Sequence, residues 1–212
     1  MSAETASEKL LGAFFGLHGI PCVRVPSAAG RTPDFVIELG GTQVTCEVKQ
    51  IDPNDEDLRE LAELRKGVGA GRYLPNRLRA KLKNVSAQLK SASASGRPTL
   101  LVVYDNTPFK SYTDHADVVQ AMFGRNSVSV LGPRDPSLPP QISDPFFGGD
   151  RGMGPGRNTA VSAIVILDGG PKPPLTLRVY HNPYAAVRLD PGVFDSLPAT
   201  QRVLPDAPGV SL

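Results

Sequence analysis

The sequence predicts an α/β domain in which a central mixed β-sheet is flanked by helices. Residues 3–18 have the apolar spacing of a helix and come before several short strand-like segments. The segment 99–104 (TLLVVY) is apolar throughout, which is typical of a central strand covered on both faces. Strand-like residues 34–39 and 42–50 flank Gly40-Gly41, a pair that favours a tight hairpin turn.

Each element has a local reason. Leu10, Phe14 and Leu17 lie on one face of the first helix, which Ser2 can cap and Gly19 ends. In the helix over 75–93, an apolar stripe alternates with basic positions. The predicted helices are 3–18, 55–66, 75–93 and 114–123, and the predicted strands are 20–25, 34–39, 42–50, 99–104, 160–167 and 175–180.

The length of 212 residues suits a single domain over 1–212. Within it, the region 132–157 holds 12 Gly or Pro among 26 residues, a composition that disfavours regular elements. We therefore expect a long mobile loop there, either disordered or ordered by a partner. After Asp190 the chain is rich in Pro and lacks periodicity, so 190–212 is expected to be an irregular C-terminal tail.

Positive charge is concentrated in one part of the chain. The net charge is only +2, yet ten Lys or Arg and only two acids lie between Arg59 and Arg97. A segregated basic segment is typical of a polyanion partner. It is equally compatible with a solvated helix face that is balanced by acids nearby in space.

Several classes of protein are disfavoured. The two cysteines have no Cys-x-x-Cys or Cys/His spacing, so a structural zinc site is not expected. The N-terminus lacks the basic and apolar regions of a signal peptide, and no apolar stretch has the length of a membrane span. We expect a cytoplasmic setting, reduced thiols and no membrane partner.

The residues that indicate chemistry flank the predicted hairpin. Asp34 opens one strand, and Glu47 and Lys49 point to one face of the other, because side chains alternate along a strand. Two carboxylates on one hairpin can bind a hard divalent cation, and a nearby lysine can stabilise developing negative charge. The simpler interpretations are that Asp34 is a turn residue and that Glu47 and Lys49 form an exposed charge pair of little energetic value.

The segments Thr32-Pro33-Asp34-Phe35 and Cys46-Glu47-Val48-Lys49-Gln50 resemble the signature of the PD-(D/E)xK nuclease superfamily, which includes restriction endonucleases and archaeal Holliday-junction resolvases. The segment Ser7-Glu8-Lys9-Leu10, followed by Gly19, resembles the first-helix pattern of the resolvase-like branch. The resemblance covers about residues 4–104. It implies a restriction-endonuclease-like fold.

By this resemblance, Asp34 and Glu47 would be metal ligands and Lys49 the catalytic lysine. Glu8 would be an auxiliary ligand, and Gln50 and Gln88 would be supporting polar residues. The implied cofactor is Mg²⁺ or Mn²⁺. A solvated helix position for Glu8 and a surface position for Gln88 remain open.

These observations favour Mg²⁺-dependent hydrolysis of DNA. The basic residues expected to contact phosphates are Arg72, Arg77, Arg79, Lys81 and Lys83. One alternative is a non-catalytic nuclease-like module that binds nucleic acid or a protein. Another is an unrelated α/β domain with an accidental motif. A homodimer stays open, since the sequence marks no interface.

Overall fold

The computed structural model describes residues 4–26, 32–68, 77–133, 137–170 and 174–204, apart from the side chains at 84 and 86. The predicted mixed α/β class is confirmed, because one seven-stranded sheet with parallel and antiparallel pairs is flanked by helices. In chain order the elements are α1 (Ala6–Leu17), β1 (Cys22–Arg24), β2 (Phe35–Leu39), β3 (Thr42–Ile51), α2 (Asp55–Leu64), α3 (Arg77–Ala94), β4 (Thr99–Asp105), α4 (His115–Phe123), β5 (Asn126–Ser127), β6 (Val130–Leu131), β7 (Gln141–Ile142), β8 (Phe146–Phe147), β9 (Ala163–Asp168), β10 (Thr176–His181), a 3₁₀ helix (Pro191–Phe194) and β11 (Ala199–Val203).

The strand order in the main sheet is β1-β2-β3-β4-β9-β10-β11. Strands β1, β2 and β3 form an antiparallel meander, and β4 pairs in parallel with β3 after the crossover through α2 and α3. Gly40 and Gly41 join β2 to β3 with φ of 54° and 78°. Positive φ at both central residues is what a two-residue hairpin turn requires, so this glycine pair fixes the β2–β3 register.

The sheet separates two apolar cores. Val44, Cys46 and Val48 of β3 pack in the core that contains the buried residues of α1. The opposite face of the sheet is covered by α3 and α4. The predicted apolar stripe of α3 is fully buried there and consists of Leu78, Leu82, Val85 and Leu89. Strand β3 therefore lies between two layers of helices.

Helix α1 begins later than predicted. Its N-cap is Thr5, whose hydroxyl accepts a hydrogen bond from the Glu8 N–H, while the Glu8 carboxylate accepts from the Thr5 N–H. This reciprocal capping box satisfies two backbone donors and starts the helix at Ala6. Ser2, the expected cap, lies outside the described residues.

The C-terminal region differs from the expected irregular tail. A short 3₁₀ helix covers Pro191–Phe194, and β11 then joins the edge of the sheet, parallel to β10. The side chains of β11 are exposed or only partly buried. An edge strand of this kind needs no apolar run, which explains why its sequence lacks a strand pattern.

The Gly/Pro-rich region also differs from the expected loop. Two short strands inside it, β7 and β8, pair with β6 and β5, which lie just before the region. Gly152 and Met153 then donate backbone hydrogen bonds to carbonyls of α4 at 3.0 and 2.8 Å. A Cβ at position 152 would lie 2.2 Å from the Ala121 carbonyl oxygen, so this close approach requires glycine. No helix in the described ranges combines the length and apolar character needed to cross a bilayer.

Candidate active site

Asp34 lies next to Glu47 at the open end of the hairpin. Asp34 comes directly before β2, whose first residue, Phe35, pairs with Cys46 next to Glu47. The negative charge of Asp34 acts on the Glu47 carboxyl. The Asp34 N–H donates to the Cys46 carbonyl at 3.0 Å, and Asp34 Oδ2 accepts from the Val48 N–H at 2.7 Å. Asp34 is therefore fixed against β3.

Glu47 is buried on the α3 side of β3, with 1% of its surface exposed. Its Oε1 accepts a hydrogen bond from Lys49 Nζ. Its Oε2 is buried and makes no hydrogen bond of ordinary length with a described residue, although the Gln88 side chain approaches closely enough to influence the pKa of the carboxyl. The simpler interpretation of an exposed charge pair does not hold for Glu47, which is buried together with Thr45 on the face of β3 that α3 covers.

Burial raises the pKa of Glu47 from 4.5 to about 7. The negative charge of Asp34 raises this pKa further, while Lys49 and the Gln88 side chain lower it. Burial also raises the pKa of Asp34, and the charge of Glu8 adds to that rise. The Val48 N–H, Lys49 and Arg24 act in the opposite direction. The carboxylates thus lie in one electrostatic environment that disfavours a second negative charge.

Glu8 lies near this pair but already has partners. One carboxylate oxygen caps α1, and the other accepts from Arg24 Nη2 at 3.1 Å. Across the described ranges, no three Asp, Glu, His or Cys side chains form a group suited to hold one metal ion. The auxiliary-ligand role of Glu8 therefore stays a prediction, and the geometry favours its role in capping.

The two glutamines occupy different places. Gln50 accepts a hydrogen bond from the Ser7 N–H at 2.9 Å and donates to Asp52, so it joins the start of α1 to the end of β3. Gln88 is directed at Glu47 from α3 and lowers its pKa. Beside it, a groove of about 350 Å³ has in its wall the buried hydroxyl of Thr45, which has no hydrogen-bond partner in the described part of the chain. Thr45 was not among the predicted site residues, although its position two residues before Glu47 places it on the same face.

The basic residues of α3 divide into two faces, because residues four apart share a side of a helix. On the first face, the Arg77 guanidinium bonds Asp57 at 3.0 Å and lies 4.7 Å from the centre of the Tyr112 ring. Burial lowers the pKa of Lys81 on this face, and the charges of Arg77 and Lys49 lower it further while Asp52 raises it. Lys81 therefore lies close enough to the Glu47–Lys49 ion pair to be influenced by its charge.

The second face of α3 carries Arg79 and Lys83 and is directed at α4 and the segment 148–158. The Arg79 guanidinium lies 3.5 Å from Asp150 and donates to the Gln120 carbonyl at 3.3 Å. Lys83 lines the same small cavity as Arg79. Arg72, the remaining predicted phosphate contact, lies outside the described residues.

The donor set is suited to a hard divalent cation. Asp34 and Glu47 supply carboxylate oxygens, which Mg²⁺ and Mn²⁺ prefer as ligands. A buried carboxylate oxygen with no hydrogen bond is costly, and a cation would offset that cost. The site also contains the ammonium group of Lys49. Its Nζ contacts Glu47, and the Lys49 side chain is 26% exposed, so it is accessible from solvent.

Comparison with known proteins gives little additional information. No protein-family model and no curated protein matches this chain. One solved structure, SfsA from Pyrococcus furiosus in complex with Ca²⁺, matches with 13% identity over 48% of this chain and 39% of that chain. The TM-score is 0.26, which is too low to carry an argument about fold or activity.

Proposed function

We propose that this protein is a Mg²⁺-dependent nuclease that hydrolyses phosphodiester bonds of DNA, with Asp34, Glu47 and Lys49 as its catalytic residues. The observation that carries the proposal is the state of Glu47. This carboxylate is buried near Asp34, has one oxygen without a hydrogen bond to any described residue, and has its pKa raised to about 7. A strongly shifted pKa beside a specific charged partner is a common property of functional sites.

The order of the elements supports the same proposal. A helix, three antiparallel strands, two helices and a parallel strand follow one another from α1 to β4. This order agrees with the sequence resemblance to PD-(D/E)xK nucleases. We extend the proposal to a restriction-endonuclease-like arrangement for this half of the chain, with Asp34 and Glu47 as metal ligands.

In this proposal each side chain has a separate task. Bound Mg²⁺ would orient and activate a water molecule and neutralise charge on the phosphoryl group. Lys49 provides a positive charge beside Glu47, where it stabilises the negative charge that develops on the phosphate. Gln88 holds the ionised form of Glu47 by lowering its pKa. Lys81, on the same side of α3, adds positive charge for a DNA phosphate.

The direct test is cleavage of supercoiled plasmid and of branched DNA by the purified protein with Mg²⁺ or Mn²⁺. We expect cleavage that EDTA stops and that Glu47→Gln or Lys49→Gln abolishes. Matched controls are Glu38→Gln and Lys9→Gln, which make the same chemical changes at exposed positions. Cleavage that survives both substitutions at the site would contradict the mechanism.

A second candidate is a non-catalytic module of the same fold that binds nucleic acid or a protein. The observation that favours it is internal charge compensation, since Lys49 pairs with Glu47 and Arg24 pairs with Glu8. This candidate predicts DNA binding without cleavage, and an affinity that Glu47→Ala leaves unchanged. Any metal-dependent cleavage lost on Glu47→Gln would exclude it.

A further inference from the structure

A small basic cavity lies on the second face of α3, away from Glu47. Its walls come from α3 and from the segment 148–158. The cavity measures about 50 Å³, and its charged lining residues are Arg79, Lys83, Asp150, Arg151 and Arg157.

Hydrogen bonds of the Asn158 amide and of backbone groups hold the segment 148–158 against α3 and α4. The Asn158 side-chain amide donates to the Leu82 carbonyl at 3.2 Å and to the Gly152 carbonyl at 2.7 Å. Asn158 has a φ of 52°, a conformation that asparagine tolerates better than most residues. Gly152 lies directly against the backbone of α4. The cavity is therefore a built part of the fold.

The charges around the cavity do not balance. Four cations and one carboxylate line it. Arg79 interacts with Asp150 and the Gln120 carbonyl, and Arg151 donates to the Phe147 carbonyl. In the described part of the chain, the exposed side chains of Lys83 and Arg157 make no hydrogen bond or ion pair, although the Asp150 carboxylate lines the same cavity. Like charges held close together repel, so a bound anion would stabilise this arrangement.

We infer that this cavity binds a phosphate group. Pockets for whole small molecules usually measure at least about 300 Å³, so about 50 Å³ fits a single small anionic group. Guanidinium groups match the geometry of phosphate oxygens, and a lysine adds a point charge. The group is either a backbone phosphate of DNA, an assignment that rests on the proposed function, or a free phosphate ion.

If the group belongs to DNA, it is not the phosphate that is cleaved. Lys81 and Gln88 on the first face of α3 lie near Glu47, whereas Arg79 and Lys83 lie on the second face. A strand that reaches both places would cross α3. The cavity would then fix the register of the DNA relative to the catalytic carboxylates, as sequence-independent phosphate contacts do.

The test compares Lys83→Gln/Arg157→Gln with the control Lys9→Gln/Arg202→Gln, which removes two cations at exposed positions elsewhere. Both pairs are made in the Glu47→Gln background and studied in EDTA, so binding is measured without cleavage. One arm measures DNA affinity against salt concentration. The other measures the melting temperature against inorganic phosphate concentration, because a ligand that binds the folded state raises it.

We expect Lys83→Gln/Arg157→Gln to weaken DNA binding and to reduce the salt slope by about 0.9, which is the contribution of the one phosphate that the cavity binds. Loss of the phosphate-dependent rise in melting temperature alone would assign the cavity to free phosphate. Loss of DNA affinity would assign the cavity to the DNA backbone, whether or not the phosphate-dependent rise in melting temperature is also lost. Both arms matching the control pair would overturn the inference, whether or not the wild-type protein cleaves DNA.

Discussion

Replacing Glu47 with glutamine should stabilise the metal-free protein above neutral pH. Glu47 is buried, one of its oxygens has no hydrogen bond to a residue that the structure describes, and its pKa is raised from 4.5 to about 7. A raised pKa means that folding disfavours the charged form. Glutamine has nearly the same shape and no charge, so Glu47→Gln removes that cost.

The size of the effect follows from the pKa. One pKa unit corresponds to about 1.36 kcal/mol, so the rise from 4.5 to about 7 costs the folded state about 3 kcal/mol when Glu47 is ionised. The pairing of Lys49 with Glu47 already lowers this pKa, so its loss is included in that figure. We therefore expect Glu47→Gln to increase the free energy of unfolding by about 3 kcal/mol at alkaline pH.

The size of the effect depends on pH. Below pH 4.5 Glu47 is mostly protonated in both folded and unfolded chains, so its pKa shift contributes no penalty. The penalty grows as the pH rises from 4.5 to about 7 and is fully present above that. The advantage of Glu47→Gln should follow the same curve.

The assay is urea unfolding of both proteins in EDTA across this pH range, with Glu38→Gln as the exposed control. Glu38→Gln should change the unfolding free energy little at any pH. A Glu47→Gln protein that is no more stable than wild type at alkaline pH, or whose advantage does not vary with pH, would refute the reasoning.

Three further substitutions test other parts of the structure. Gln88→Leu removes a group that lowers the pKa of Glu47. In urea unfolding, the loss of stability caused by ionisation of Glu47 should therefore extend to higher pH in this variant than in the wild type. Asp57→Ala removes a fully buried carboxylate that bonds the Arg77 guanidinium and the Tyr112 hydroxyl, and should cost about 3–5 kcal/mol in urea unfolding. Gly152→Ala places a Cβ 2.2 Å from a carbonyl oxygen of α4. It should lower the free energy of unfolding, measured by thermal denaturation, by roughly 1–3 kcal/mol.

Each of these substitutions has a matched control in the chain. Gln43→Leu changes an exposed glutamine on β3 and should leave the pH dependence unchanged. Asp55→Ala removes an exposed carboxylate from α2. Gly149→Ala adds a methyl group that meets no atom within 4 Å. If a control substitution has an effect as large as the test substitution with which it is paired, the role assigned to that contact is contradicted.

The sequence was sufficient to locate the hairpin and the residues on it. Gly40 and Gly41 fix the turn, and alternation along β3 then places Glu47 and Lys49 on one face, so local rules alone give this arrangement. Helical spacing likewise predicted the buried stripe of α3. These features depend on short-range geometry that a sequence displays directly.

The remaining features depend on contacts between distant parts of the chain. Burial of Glu47 results from the packing of α3 over β3, which strand periodicity does not show. The pairing of Glu8 with Arg24 depends on how α1 lies beside β1. The cavity lined by Arg157 depends on the docking of a glycine-rich segment whose composition predicts only a loop.

Calorimetric titration with Mn²⁺ near pH 7 tests most directly whether a divalent cation binds at Glu47. Since the pKa of Glu47 is about 7, this carboxyl is about half protonated there, and a metal ion that binds it must displace about half a proton. Titrations in buffers with different ionisation enthalpies measure that release. We predict binding with about half a proton released by the wild type, and neither binding nor release by Glu47→Gln. Absence of binding to the wild type, or equal binding to Glu47→Gln, would contradict the account.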